Sequence, residues 1–271
     1  LGDCTVKVQF NPARIVSSAA KVDTKSLKER KCFLCADNRP DVQEGLPTGD
    51  YTWLINPFPI FPEHFTIPVN EHVPQLIEKR FGDMLRLAQA AHDYVLFYNG
   101  PKCGASAPDH AHFQAGNKGF LPLEQAIKRC RYIPIRSEAS ARLSQVEDYI
   151  CPFFLIEAEK ADDAEKLFGS LYHALDRKED ETEPMMNLLT WYEEGKWLAC
   201  IFPRAQHRPS CYFAEGDENI LLSPASVDMG GVFITPLEKD FEKIEAAHLE
   251  KILSEVCLGR EKMYQIIEKL K

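Results

Sequence analysis

Two histidines and a glutamine alternate with apolar residues along one short segment of this 271-residue chain. His110, His112 and Gln114 lie in the run DHAHFQ, residues 109–114. Successive side chains of a β-strand point to opposite faces, so a strand here would place the three polar side chains on one face. Three polar groups in a row make a poor core face and a good reaction surface. The segment therefore predicts an active-site strand.

The segment before this strand is rich in small residues. Residues 99–108 have the sequence NGPKCGASAP. Small residues suit a loop whose backbone N–H groups meet an anion. A histidine beside a bound phosphate can act as a nucleophile at phosphorus, so the pattern favours phosphoryl chemistry. The alternative is a buried histidine in an ordinary strand.

The composition limits the class of protein. The net charge of −9 argues against a general nucleic-acid-binding protein but allows a small anionic substrate in a locally positive pocket. We expect no membrane span, because no run of about 18 apolar residues is present. Nine scattered cysteines and the lack of a recognisable signal segment favour a reducing compartment, so we expect a cytoplasmic protein.

Hydrophobic patterning predicts an α+β fold of antiparallel sheets with flanking helices. The predicted strands of the first half are 51–55, 64–68, 94–98 and 111–115. Apolar residues at helical spacing predict a helix over 74–94.

The second half of the chain loosely repeats this order of elements. Two strand-like segments within 185–202 flank the turn EEG and predict a hairpin. We predict two related halves, 1–145 with the reactive motif and 146–271 without it. The second half is predicted to end in a long helix over 236–271.

Several short segments of the chain, including the reactive motif HAHFQ, together resemble the histidine-triad (HIT) superfamily. The resemblance is carried by residues 56–59 (NPFP), 63–68 (EHFTIP), His72, 104–106 (GAS), 110–114 (HAHFQ) and, more weakly, 187–190, 197–204 and 223–235. Gln114 stands where the HIT hydrolases carry a third histidine, which is typical of the transferase and phosphorylase branch. This branch includes galactose-1-phosphate uridylyltransferases, diadenosine tetraphosphate phosphorylases and GDP-L-galactose phosphorylases. The resemblance implies that both halves are HIT-like.

The resemblance also implies roles for the residues of the motif. His112 matches the nucleophile that becomes covalently linked to the nucleotide, and His110 belongs to the same catalytic motif. Gln114 matches the glutamine that hydrogen-bonds the phosphoryl oxygens, and a neutral amide there suits transfer better than hydrolysis. The phosphate contacts implied by the resemblance are Asn99, Gly104 and Ser106.

The pair Cys32 and Cys35 is the strongest metal signal in the sequence. Thiolates at this spacing can chelate zinc, but a closed structural site needs four ligands. The resemblance to zinc-binding uridylyltransferases implies that His72 and His110 complete the site. The alternative is two reduced cysteines in a loop. No organic cofactor is expected.

Further residues are candidates for binding the substrate. By resemblance, Asn56 and Phe58 line the nucleoside pocket, where the ring packs on a base, although an aromatic residue beside prolines also suits a core. Arg204, His207 and Arg208 form a basic cluster that could receive a phosphate. A solvated hairpin end is the alternative for this cluster.

The function implied is nucleotidyl transfer through a nucleotidyl-His112 intermediate, on a nucleoside diphosphate sugar or a dinucleoside polyphosphate. The partner substrate would be phosphate or a sugar phosphate, and a homodimer is possible. One alternative is a hexose-1-phosphate uridylyltransferase, although those enzymes have proline where this chain has Ala111. The other is a nucleotide-binding module without catalysis.

Overall fold

The computed structural model describes residues 1–2, 4–20 and 22–271. The strands are β1 (Lys7–Phe10), β2 (Gly45–Thr48), β3 (Tyr51–Ile55), β4 (His64–Pro68), β5 (Tyr94–Asn99), β6 (His112–Asn117), β7 (Tyr132–Glu138), β8 (Ala141–Val146), β9 (Phe153–Ala158), β10 (Met186–Glu193), β11 (Lys196–Pro203) and β12 (Val232–Thr235). The helices are α1 (Ile15–Ser18), α2 (Thr24–Glu29), α3 (Phe81–Ala90), α4 (Leu123–Ala126), α5 (Ala161–Ala174), α6 (Ser210–Phe213), α7 (Ser226–Met229), α8 (Glu238–Lys243), α9 (Ala246–Val256) and α10 (Arg260–Leu270).

One large sheet organises the molecule. Its ten strands have the order β2-β3-β4-β6-β5-β10-β11-β9-β8-β7, and neighbouring strands are antiparallel. The four strands predicted in the first half are present as β3 to β6, and the predicted hairpin is β10–β11. The sheet and its helices confirm the predicted α+β fold class.

The two halves of the sheet have the same topology. In the first, β2 to β6 take the sheet order β2-β3-β4-β6-β5, and in the second, β7 to β11 take the order β7-β8-β9-β11-β10. A helix, α3 or α5, joins the third strand of each half to the fourth. The halves meet where β5 pairs with β10. From this repeat we propose that the chain consists of two related halves.

The sheet topology favours another boundary between the halves than the predicted 145/146. A division at 145/146 cuts off β7 and most of β8 from β9, with which β8 pairs from Ala141 to Val146. The topology groups β7 and β8 with the second half instead. We propose that the boundary lies in the connection between β6 and β7, residues 118–131.

Each strand presents alternate residues to the two faces of the sheet. On β5, Leu96 and Tyr98 belong to the core covered by α3 and α5, whereas Val95 and Phe97 belong to the core on the opposite face. On β6, Phe113 packs in the first of these cores. Its neighbours on β6 therefore point to the opposite face.

The helix predicted over 74–94 forms only from residue 81. The backbone N–H of Gln75 donates to Pro108 O (3.1 Å), and that of Ile77 donates to the Glu183 carboxylate (2.9 Å). Residues 72–77 have no regular structure, and these two bonds tie them to distant parts of the chain. The sequence predicted the apolar stripe but not these long-range acceptors.

The prediction of one long helix over 236–271 is wrong. Three separate helices, α8, α9 and α10, occupy this region. The chain is extended at Ile244 and Glu245, and again at Cys257 and Gly259. Cys257 forms an isolated bridge with Arg204, which anchors the second break. Within the described part of the chain, no helix has both the length and the apolar character needed to cross a bilayer.

Candidate active site

A cavity of about 970 Å³ lies on the sheet face opposite α3 and α5. Its floor is formed by β3 to β6 of the first half. The N-terminal segment forms one wall and reaches the second half because β1 pairs with β12 in parallel. The second half supplies His207, Arg208, Ala225 and Asp228. The cavity is thus built from both halves of the chain.

Strand pairing determines which side chains meet on the cavity floor. On β6, Gln114 lies opposite Thr66 of β4 and Phe97 of β5. His112 lies two residues earlier and therefore on the same face, and both His112 and Gln114 line the cavity. His110 precedes the strand, and its side chain is not part of the cavity lining. The expectation that all three share one face is corrected for His110.

Backbone hydrogen bonds hold the His112 ring in one tautomer. A carbonyl oxygen only accepts, so His112 Nδ1–H donates to His110 O (2.8 Å), and Nε2 carries the lone pair. The Gln75 side chain fixes the strand here, since it accepts from His112 N (2.7 Å) and donates to His112 O (3.0 Å). Burial lowers the pKa of His112 to about 4. The imidazole is therefore neutral, with a nucleophilic nitrogen in a fixed ring.

The amide of Gln114 is oriented by a second histidine. Ile60 N–H donates to His64 Nδ1 (3.0 Å), so the proton of the neutral His64 ring is on Nε2. His64 Nε2–H then donates to Gln114 Oε1 (3.0 Å). Burial and the charge of Arg14 lower the pKa of His64 to about 3, which keeps this ring neutral. The amide nitrogen of Gln114 is left as the donor for a ligand.

The glycine loop approaches the second half closely. Gly104 has a φ of +95°, and a Cβ added there would lie 2.6 Å from Ala225 Cβ. Both the conformation and the contact require glycine. Ser106 follows two residues later, and Gly104 and Ser106 both line the cavity. The structure thus places the predicted phosphate loop in the same cavity as His112.

Asn99, Asn56 and Phe58 also line the cavity. Asn99 Oδ1 accepts from Asn187 Nδ2 (2.9 Å) and from the backbone N–H of Ser226 (2.8 Å), so its amide nitrogen is the group that remains for a ligand. Asn56 Oδ1 accepts from Phe58 N–H (2.9 Å), which fixes the turn after β3 and places the phenyl ring at the cavity.

The structure corrects the prediction that Arg204 binds substrate. Its guanidinium is buried and is not part of the cavity lining. It donates to Asn187 Oδ1 (2.5 Å) and to backbone carbonyls, including Val256 O (2.9 Å) and Pro224 O (2.9 Å). Arg204 therefore positions Asn187, which in turn contacts Asn99.

Cys32, Cys35, His72 and His110 form a compact cluster that could hold a metal ion. One ligand atom from each lies within 4.8 Å of all the others. His110 Nδ1 is 3.3 Å from Cys32 Sγ, and His72 Nδ1 is 3.2 Å from Cys35 Sγ. The structure thus brings together the four residues predicted as metal ligands.

The chemistry of these donors fits a soft divalent metal. His110 Nε2–H donates to Val69 O (2.8 Å), which leaves Nδ1 unprotonated and aimed at the thiols. Burial raises the pKa of the Cys32 thiol. Hydrogen bonds to its thiolate from backbone N–H groups, and from His110 when that ring carries both protons, outweigh burial and lower the pKa to about 6. Two sulfur and two imidazole donors form a set typical of tetrahedral zinc sites.

Sequence reasoning missed Arg14 and Asp228. Arg14 Nη1 donates to Phe58 O (3.1 Å), and both Arg14 and Asp228 line the cavity. The Asp228 carboxylate accepts from the backbone N–H groups of Ala225 (2.8 Å) and Ile234 (3.2 Å). Arg14 belongs to no segment of the resemblance, and Asp228 lies in its weak segment 223–235 without having been singled out. The cavity that they line exists only once the N-terminal segment packs on the second half.

Two family models match the chain with a boundary between them. The model described as a domain of unknown function, DUF4922, matches residues 1–117. The model described as GDPGP1-like, C-terminal domain, matches residues 122–271, which is more than half of the chain. This chain belongs to the GDPGP1-like family. The finding confirms the predicted place in the transferase and phosphorylase branch of the HIT superfamily. The gap between the two models, residues 118–121, lies within the connection 118–131 where we propose the boundary.

Individual relatives share only about a fifth of their residues with this chain. Galactose-1-phosphate uridylyltransferase of Staphylococcus saprophyticus is 22% identical over 230 residues, which cover 78% of this chain and 45% of the relative. The chain therefore spans less than half the length of this curated relative. The structure of yeast Ap4A phosphorylase Apa2 has a TM-score of 0.58 at 19% identity, over 86% of this chain and 83% of that one. Its complex with Ap4A has a TM-score of 0.52 at 17% identity, over 93% and 84%. These likenesses confirm the HIT-like fold.

Proposed function

We propose that this chain is a nucleotidyltransferase of the phosphorylase type that works through a covalent nucleotidyl-His112 intermediate. The observation that carries the proposal is the hydrogen bond from His112 Nδ1–H to His110 O (2.8 Å), which leaves an unprotonated Nε2 on a side chain that lines the cavity. A nucleophile held in one orientation needs little reorganisation before it attacks.

In the first step, His112 Nε2 attacks the α-phosphorus of the bound nucleotide. The P–N bond forms as the P–O bond to the leaving group breaks, and the leaving group departs with that electron pair as a phosphate ester. The amide nitrogen of Gln114 and the loop at Gly104 and Ser106 would hydrogen-bond the phosphoryl oxygens, where negative charge develops.

In the second step, an oxygen of inorganic phosphate attacks the same phosphorus. The P–N bond breaks, its electron pair returns to Nε2 of His112, and a nucleoside diphosphate is released. The amide of Gln114 is uncharged. It cannot protonate a leaving group, and it cannot remove a proton from water. This property favours transfer to phosphate over hydrolysis.

The donor class is a nucleoside diphosphate sugar or a dinucleoside polyphosphate. A cavity of about 970 Å³ is at the upper end of the range for small-molecule sites and suits a nucleotide with a second phosphorylated group. The GDPGP1-like family match and the fold of yeast Ap4A phosphorylase support a phosphorylase. Asn56 and Phe58 would contact the nucleoside, and Asn99 would contact a phosphate.

A hexose-1-phosphate uridylyltransferase is the second candidate. Its support is the 22% identity to the S. saprophyticus uridylyltransferase over 78% of this chain. In that reaction a hexose phosphate would replace inorganic phosphate in the second step. A nucleotide-binding module without catalysis is the third. Association as a homodimer and a cytoplasmic location stay predictions.

A donor screen with and without phosphate tests the proposal. Common nucleoside diphosphate sugars and dinucleoside polyphosphates are each incubated with the chain, with inorganic phosphate, hexose 1-phosphate or neither. A phosphorylase releases a nucleoside diphosphate only when phosphate is present, whereas a uridylyltransferase needs the hexose phosphate. Binding without turnover of any donor would contradict both enzymatic readings and favour the binding module.

We further propose that Cys32, Cys35, His72 and His110 bind one zinc ion. The ion would tie the loop that carries both cysteines to the residue before β6, which is a structural role. Purification without chelators should yield about one equivalent of zinc by elemental analysis, and Cys32→Ser should lose it together with several degrees of Tm. Under a tenth of an equivalent in the wild type would end the proposal.

A further inference from the structure

One arginine beside the phosphate loop has a hydrogen-bonding group without a protein partner. Arg30 lines the cavity together with Ser106 and His112. Its Nη1 is buried and makes no hydrogen bond with any part of the chain that the structure describes. A buried guanidinium nitrogen without an acceptor is costly, and an oxygen of a ligand would satisfy it.

The rest of this guanidinium is held in place. Arg30 Nη2 donates to Asp109 Oδ1 (2.5 Å) and lies 3.5 Å from Ser106 O. The guanidinium carbon lies 5.1 Å from the centre of the Phe33 ring. Asp109 directly precedes the reactive motif, and Ser106 belongs to the glycine loop. These contacts fix Arg30 relative to His112.

Other arginines near the site each donate to an acceptor of the protein. Arg14 donates to Phe58 O (3.1 Å), and Arg208 donates to Ser223 Oγ (3.2 Å). Arg39, in the same loop as the cysteines, donates twice to Leu34 O and lies outside the cavity. Among the arginines in the described ranges, Arg30 alone has a buried nitrogen without a partner.

We propose that Arg30 binds a phosphoryl oxygen of the nucleotide through Nη1. The proposal rests on the proposed function for its ligand, a nucleotide whose phosphate lies between the glycine loop and His112. A guanidinium presents its N–H donors in a rigid plane, so Nη2 can stay on Asp109 while Nη1 meets the phosphate. Arg30 would then provide affinity for the phosphate and none for the nucleoside.

Calorimetric titration with product-type nucleotides tests this role, since nucleoside monophosphates bind without being turned over. AMP, GMP, UMP and CMP and the four matching nucleosides are titrated into the wild type, Arg30→Gln and Arg30→Lys. Arg39→Gln is the matched control, because it removes a guanidinium from the same region that binds only the protein. Zinc content and Tm are measured for each variant.

Arg30→Gln should weaken binding of the tightest monophosphate by about 10- to 100-fold, the loss typical of one charge-assisted hydrogen bond, and binding of its nucleoside by less than about 2-fold. Arg30→Lys keeps the charge but not the planar fork, so it should lose affinity for the monophosphate selectively as well. If Arg30→Gln does not fold, the lysine variant decides. Arg39→Gln should change neither the affinity for the monophosphate nor the affinity for its nucleoside.

Equal weakening of nucleotide and nucleoside by Arg30→Gln, or no weakening at all, would overturn the assignment, as would a wild type that binds none of the four monophosphates. The proposed function is tested separately by transfer from a donor. Selective loss of phosphate affinity without any transfer activity would support Arg30 and contradict the enzyme. If Arg30→Gln binds nucleotide normally and the wild type transfers a nucleotide from a donor, the role of Arg30 would be contradicted and the enzyme supported.

Discussion

Neighbouring histidines of one motif have separate tasks. The backbone oxygen of His110 holds the His112 ring, while the side chain of His110 points to Cys32 and Cys35. The His110 side chain does not line the cavity, so its influence on the reaction passes through the backbone. The sequence predicted that both histidines belong to the site but could not separate their surroundings, because the start of β6 at His112 decides which side chains share a face.

Replacement of Gln114 by histidine tests the proposed preference for transfer. An imidazole at this position can still accept the hydrogen bond from His64, and it can exchange a proton with a leaving group or with water. We expect Gln114→His to raise the ratio of nucleoside monophosphate to nucleoside diphosphate at least about 10-fold in the presence of phosphate, since general acid–base catalysis contributes factors of this size or more. Chromatography of the products measures the ratio.

The control for this change is Gln114→Asn, which keeps a neutral amide on a shorter side chain. It should slow transfer without raising the fraction of hydrolysis. If Gln114→His leaves the product ratio unchanged, the neutral amide is not what selects phosphate over water.

At the scale of elements, the glycine loop packs closely against Ala225 of the second half, and this contact helps to shape the site. A Cβ at residue 104 would meet Ala225 at 2.6 Å and would also require a φ of +95°. Gly104→Ala should therefore destabilise the fold by roughly 3 kcal/mol, from backbone strain plus the clash. Thermal unfolding should show a loss of Tm of several degrees.

Gly119→Ala is the matched control, because residue 119 has a φ of +81° and no heavy atom within 4 Å of an added Cβ. Strain alone should cost roughly 1 kcal/mol there. Adding Ala225→Gly to Gly104→Ala should recover the difference between the two single variants. A Gly104→Ala variant no less stable than Gly119→Ala would show that the close approach is absent.

The sequence predicted elements well where the pattern was local. β3 to β6 and the β10–β11 hairpin follow from alternation and turn residues. The predicted helix over 74–94 begins only at residue 81, because residues 72–77 follow a non-helical path that is tied to distant groups through the N–H groups of Gln75 and Ile77. The predicted C-terminal helix is broken by extended backbone at Ile244 and Glu245, where the sequence has no glycine or proline, and at Cys257 and Gly259, where a single glycine is the local signal. Long-range partners of this kind carry no local signal.

At the scale of the whole molecule, a buried carboxyl joins the two halves. Glu183, just before β10, accepts hydrogen bonds from Ile77 N–H (2.9 Å) and from the Tyr98 hydroxyl (2.5 Å) of the first half. Burial, with a smaller contribution from the charge of Glu78, raises the pKa of Glu183 to about 7. The protonated carboxyl is therefore favoured in the folded state.

This raised pKa gives a pH dependence with a defined sign. Between the ordinary value near 4.5 and about 7, the folded protein retains a proton that the unfolded chain has lost, so the contribution of Glu183 to stability falls as the pH rises. The full change is on the order of 3 kcal/mol. Glu183→Gln does not titrate, so its Tm deficit relative to wild type should be larger at pH 5 than at pH 8. A deficit that stays constant or grows with pH would contradict this.

The cavity itself is a property of the whole molecule that the sequence did not predict. The residues of the motif come from the first half, but Arg14 and Asp228 reach the same space from the N-terminal segment and from the second half. The basic cluster in the sequence predicts that Arg204 contacts substrate, yet its guanidinium donates to the protein. The spacing of residues in the sequence indicates a motif, whereas the packing of the chain decides which residues outside the motif line the cavity.

The most direct test of the account is the covalent intermediate. The chain is mixed with the donor found in the screen, without phosphate, and its intact mass is measured, with His112→Ala as the control. We predict an added mass of one nucleoside monophosphate residue, located on His112, labile to acid, discharged by phosphate and absent from the variant. Turnover of the donor with no adduct at any time point, or an adduct of equal yield in His112→Ala, would contradict the central claim.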